Sequence, residues 1–126
     1  MPNDSILEGF EIVPSDSVPY ITLDNQRRFY LNASARRLMD VKPYERLALA
    51  YNSIDRAIAV LRPNESGEDY ALSNYNVDKR YYMSARHFSK QYGYDSDKAP
   101  YTFVYDRGAS DGSAFIFRLV GGDERD

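Results

Sequence analysis

The feature that most constrains this chain is an internal repeat. Arg28-Phe29-Tyr30-Leu31 returns as Arg80-Tyr81-Tyr82-Met83, an offset of 52 residues, and both are followed by a helix-like stretch and then two strand-like runs. Each copy is too short to bury its apolar faces alone, so two copies in one chain imply that the halves close on each other as an intramolecular pseudo-dimer. The predicted units span residues 20–62 and 70–120, separated by a polar linker at 63–69. An acidic extension at 1–19 and a charged tail at 121–126 flank them.

Local signals fill in the units. Residues 20–23 read as a strand entered through Pro19, Asp24-Asn25 as a turn, and 28–31 as a second strand. Asn32 is a good N-cap for a helix at 33–39 that offers Ala35, Leu38 and Met39 to the core, and superposing the two halves is expected to make Leu31 equivalent to Met83 and bring Leu38 near Phe88. Runs at 46–51 and 57–61 form a hairpin. In the second unit 70–72 and 80–83 read as strands, and Ser73, Asn74 and Asn76 as turn residues between them. A helix at 85–92 takes Ser84 as cap and Gly93 as stop, followed by a hairpin of 101–105 and 114–119. The predicted class is α+β and mostly β: two tandem strand–helix–hairpin repeats.

Composition removes some functions. The chain has no cysteine, so it has no disulfide and no thiolate metal site. No run of about 18 apolar residues occurs, which argues against a membrane span, and residues 1–16 lack the basic and apolar regions of a secretory signal. A cytoplasmic protein is expected. His87 has no second ligand at metal spacing, no nucleophile or phosphate-loop motif occurs, and Asp95 and Asp97 read as a loop pair. No enzyme, cofactor or metal is predicted. Twelve tyrosines suit strand surfaces, cores and binding faces alike, and of these Tyr81, Tyr82, Tyr92, Tyr94, Tyr101 and Tyr105 read as barrel packing rather than base-stacking platforms.

Net charge is −3, yet the bases are segregated. Residues 20–41 hold Arg27, Arg28, Arg36 and Arg37 against Asp24 and Asp40, and residues 76–94 hold Lys79, Arg80, Arg86 and Lys90 against Asp78. A polyanion responds to the charge of one face rather than to the total.

With these residues in view, the first unit resembles the AbrB/MazE/SpoVT family, and the tandem layout resembles MraZ proteins. Asp24-Asn25-Gln26-Arg27-Arg28 is similar to the D-x-x-x-R turn, and residues 31–41 occupy the place of the family's I-P-x-x-x-R-x-x-L-G-I stretch. The second unit departs more: Asn76 stands where the acid is expected, Phe88 where the helix arginine is, and both helices lack the family's starting proline. The resemblance implies a swapped-hairpin or double-split β-barrel. It also implies a transcription regulator of phage or bacterial type that binds double-stranded DNA through Arg27, Arg28, Arg36, Lys79 and Arg80, and it allows a homo-oligomer. The alternative reading is a protein-interaction module, an inhibitor or antitoxin with a protein partner, that keeps the fold without binding DNA.

Overall fold

A computed structural model of the chain describes residues 10, 12–63 and 72–121. The linker expected at 63–69 lies outside them except for Pro63, as do residues 122–126 of the tail and most of the first eleven residues. Eight strands form one antiparallel sheet in the order β5-β3-β4-β8-β7-β1-β2-β6. They are β1 (Tyr20–Leu23), β2 (Arg28–Leu31), β3 (Arg46–Asn52), β4 (Ala57–Leu61), β5 (Tyr75–Asn76), β6 (Tyr82–Ser84), β7 (Tyr101–Tyr105) and β8 (Phe115–Leu119). A tight turn at Asp78 joins β5 to β6, with Asp78 N donating to Tyr82 O at 2.9 Å, so the two outermost strands meet and the sheet nearly closes into a barrel. Helices α1 (Ala33–Met39) and α2 (Arg86–Tyr92) follow β2 and β6.

The strands of the two halves interleave. β1 pairs with β7, β3 with β5, β2 with β6 and β4 with β8. Apolar residues alternate inward on β1 and β2, where Ile21, Leu23, Phe29 and Leu31 are buried, while Arg28 and Tyr30 on β2 face outward. One apolar cluster joins these to Leu47, Ile58, Val60, Met83, Phe103 and Phe117. Around Phe88 of α2 the rings of Phe29, Tyr51, Tyr92 and Tyr94 lie with centroids 5.0–5.3 Å away. The Tyr94 hydroxyl bonds that of Tyr51, and its burial together with this bond raises its pKa far above the ordinary tyrosine range. Of the tyrosines expected to pack, Tyr94 and Tyr101 are buried and Tyr81 and Tyr105 half-buried against the core, whereas Tyr82 is half-buried outside it and Tyr92 is exposed.

Three features of the second half differ from the sequence reading. The strand expected at 70–72 is found at Tyr75–Asn76, where a turn was expected; residues 70 and 71 lie outside the described residues, and Leu72 is exposed outside any strand. The strand expected at 80–83 begins two residues later, at Tyr82. Both shifts follow from Asp78, whose carboxylate organises the turn and so fixes where pairing starts. Ser84 ends β6 instead of capping α2, whose N-cap position is Ala85, without a side-chain cap.

Helix α1 sits as its cap dictates. Asn32 Oδ1 accepts from Ala35 N at 2.9 Å, and this sets the helix rotation so that Ala35 and Met39, four residues apart, face the core at 0% and 2% exposure. Leu38 is half-buried and packs against the edge of that core. Of the three residues expected in the core, Ala35 and Met39 are buried there and Leu38 only borders it. Met39→Ala is expected to cost about 2–5 kcal/mol by cavity formation, and Leu38→Ala about 1 kcal/mol for its partial burial. Urea midpoints of the two variants give the order, and a reversed order is incompatible with this helix rotation.

Candidate nucleic-acid interface

Two turns of the same construction flank the β2–β6 pair. In the first, Asp24 Oδ1 accepts from the backbone N–H of Gln26 and of Arg28, each at 2.9 Å. In the second, Asp78 Oδ1 accepts from Arg80 N at 2.8 Å and Tyr82 N at 3.0 Å. Arg27 and Tyr81 both take the left-handed conformation, with φ of 59° and 69°, which an ordinary side chain adopts only when its surroundings hold it there. Each turn is tied to the opposite unit: Ala85 N donates to Arg27 O at 2.8 Å, and Leu31 N donates to Tyr81 O at 3.1 Å.

These bonds correct the expected alignment. Asp78, not Asn76, takes the part of Asp24, and the turns correspond at an offset of 54, not 52. The acid is present in both halves. What the second turn lacks is the arginine four residues on, since Tyr82 stands where Arg28 does.

That exchange builds a row of cations and rings on the outer face. The Arg28 guanidinium lies 4.2 Å from the Tyr82 ring centre and also pairs with Asp24 Oδ2 at 2.9 Å. Tyr82 packs on Tyr30 at 4.9 Å, its partner in the strand register. Arg36, reaching over from α1, donates to Tyr30 Oη at 2.7 Å and to Leu31 O at 3.0 Å, and sits 4.1 Å from the Tyr81 ring centre. Cation–π contacts of this kind stabilise by roughly 0.5–2 kcal/mol each. Arg28 and Arg36 are thus half-buried and held on their partners.

The other sequence-predicted cations are exposed: Arg27 on the first turn, Lys79 and Arg80 on the second. The structure adds Arg86, an exposed residue opening α2 and lining, with Asn25, Gln26, Arg27 and Arg28, an open groove of about 700 Å³. Its position directly after Ala85, which bonds the first turn, is what brings it there. All five predicted residues and Arg86 therefore border the β2–β6 surface, with Asp24 and Asp78 drawn into turn hydrogen bonds. Elsewhere Glu45 is paired with Arg62 at 2.8 Å and Asp106 with Arg118.

The remaining chemistry is sparse. Asp95 caps the turn at Ser96–Lys98 by accepting from Asp97 N at 3.0 Å, a loop role. Among the described residues no three His, Cys, Asp or Glu side chains gather at metal-binding distance, and no helix is long and apolar enough to cross a membrane. Comparison of the chain with protein-family models, with curated proteins and with solved structures gave no match.

Proposed function

We propose that this protein is a non-enzymatic, cytoplasmic DNA-binding regulator of AbrB/MraZ-like type that grips double-stranded DNA with the β2–β6 face. The observation that carries this reading is the pair of Asp-organised turns bordering a row of arginines and tyrosines, with Arg27, Lys79, Arg80 and Arg86 exposed around it. Guanidinium and ammonium groups in such an array contact phosphates and release counterions. The strand pairing supports the tandem-repeat part of the proposal. Exchanging β1–β4 with β5–β8 turns β1·β7 into β5·β3 and leaves β2·β6 and β4·β8 unchanged, as a swapped-hairpin pseudo-dimer requires.

The test is affinity for mixed-sequence duplex DNA between 50 and 200 mM salt. Log K is expected to fall linearly with log salt concentration, by about 0.9 per phosphate contacted. Arg27→Ala/Arg80→Ala removes two exposed cations and is expected to lower that slope by about 2 without unfolding the chain. No wild-type binding at 50 mM salt overturns the reading. It would leave the protein-interaction module, for which the exposed Phe10, Ile12 and Val13 are the observation.

A further inference from the structure

We infer that the two turns divide the work of recognition: the Asp24 turn reads base edges through Asn25 and Gln26, while the Asp78 turn anchors the backbone through Lys79 and Arg80, so the protein prefers a non-palindromic site. This rests on the DNA-binding reading above.

The turns share their hydrogen bonds and their left-handed residue, so their side chains can be matched position by position from the acid. One residue after the acid stand Asn25 and Lys79; two after, Gln26 and Arg80; three after, Arg27 and Tyr81; four after, Arg28 and Tyr82. Asn25, Gln26, Lys79 and Arg80 are all exposed, and among the described residues none of the four side chains is engaged in a hydrogen bond. The backbone offers the same two platforms, and the chemistry on them differs.

A neutral carboxamide releases no counterion on meeting a phosphate. It does carry a donor beside an acceptor, the pattern that matches the N6 and N7 edge of adenine in the major groove. A lysine ammonium and an arginine fork are the phosphate-seeking pair, and they add charge without reading sequence. In the groove beside the first turn these amides stand next to Arg27, Arg28 and Arg86, and Asp78 of the second turn lines its other side. Arg28 and Arg36 have their guanidinium groups held by Asp24, Tyr82, Tyr30 and Leu31 and act as positioning residues that stiffen the platform. A homodimer places identical residues on both half-sites and matches a palindrome. This chain carries both platforms as separate sequence and is free of that constraint.

The experiment is selection from a random-sequence duplex pool, with salt titrations, for wild type, Asn25→Ala/Gln26→Ala and Lys79→Ala/Arg80→Ala. Circular dichroism checks that each variant keeps the fold, as expected since the turn bonds run through backbone N–H groups. Wild type should enrich a non-palindromic motif containing adenine. The amide variant should keep the salt slope and lose roughly tenfold or more of its preference at those adenines. The lysine–arginine variant should keep the motif, weaken for all sequences alike and lose about 2 from the slope. A palindromic motif, no motif, a motif unchanged in the amide variant, or one altered in the lysine–arginine variant each overturn the division of roles. Salt-dependent wild-type binding accompanying any of these keeps the DNA reading, and absence of that binding is the separate result that removes it.

Discussion

Replacing Phe29 by alanine is expected to cost about 3–5 kcal/mol of folding stability, the range for emptying a fully buried aromatic site. Its side chain is 0% exposed and meets Phe88 edge-on at 5.0 Å and Tyr75 at 6.2 Å. It lies opposite Met83, at the middle of the β2–β6 pair. The ring thus joins β2, the short strand β5, and helix α2, three elements taken from both halves. Because small domains are stable by only about 5–15 kcal/mol, the loss takes a large share of the total, and neighbouring rings fixed by the same packing have little room to collapse into the gap. Urea denaturation measures it. Phe29→Leu, which keeps most of the volume, should cost less than half as much, and a Phe29→Ala cost below about 1 kcal/mol is incompatible with the interleaved core.

Much of the fold was legible because its signals are local and strong. Strands 20–23, 28–31, 57–61 and 101–105 and the helix at 33–39 fall where alternation, Asn32 and the turn residues place them. The second half misled for a physical reason. Strands β5 and β6 hold two and three residues, too few for a period of two to register. The resemblance of Arg28-Phe29-Tyr30-Leu31 to Arg80-Tyr81-Tyr82-Met83 is a match of composition, whereas register there is set by a carboxylate accepting two backbone N–H groups. Aligning Asp24 with Asp78 pairs the buried Phe29 with the buried Met83.

The candidate site was legible as a set of cations and not as an arrangement. Charge segregation picks out two windows of bases, Arg37, Arg86 and Lys90 among them, and the family resemblance narrows these to Arg27, Arg28, Arg36, Lys79 and Arg80. It does not say that Tyr82 and Tyr30 hold two of those guanidinium groups, since an outward aromatic on a strand reads the same whether it faces water or a cation. Arg86 went unassigned because its proximity to Arg27 arises from a bond between Ala85 and the opposite unit. Contacts between units carry no local sequence signature.

Asn32 is expected to be the most costly polar residue to remove, because it is far more than a helix cap. It is 4% exposed, and its Oδ1 accepts from both Ala35 N at 2.9 Å and Tyr20 N at 3.0 Å while Nδ2 donates to Val18 O at 2.9 Å. One side chain therefore fastens the start of α1 to the entry of β1, and Ser34 adds a bond to Asp16 O at 2.9 Å. Asn32→Ala removes the cap, costing about 1 kcal/mol. It also strands the Tyr20 N–H and the Val18 carbonyl, at roughly 1–3 kcal/mol for each that water does not reach. A total of about 3–5 kcal/mol follows, since part of the segment will relax toward solvent. Asn32→Asp keeps both acceptor bonds and exchanges the donor for a carboxylate oxygen facing Val18 O, so it should fall between wild type and alanine. Amide hydrogen exchange separates the roles. In Asn32→Ala the Tyr20 N–H should exchange through local opening, well before global unfolding, while the Ile21 N–H in mid-strand keeps its protection. A loss near 1 kcal/mol with Tyr20 still protected would show that Asn32 serves α1 alone.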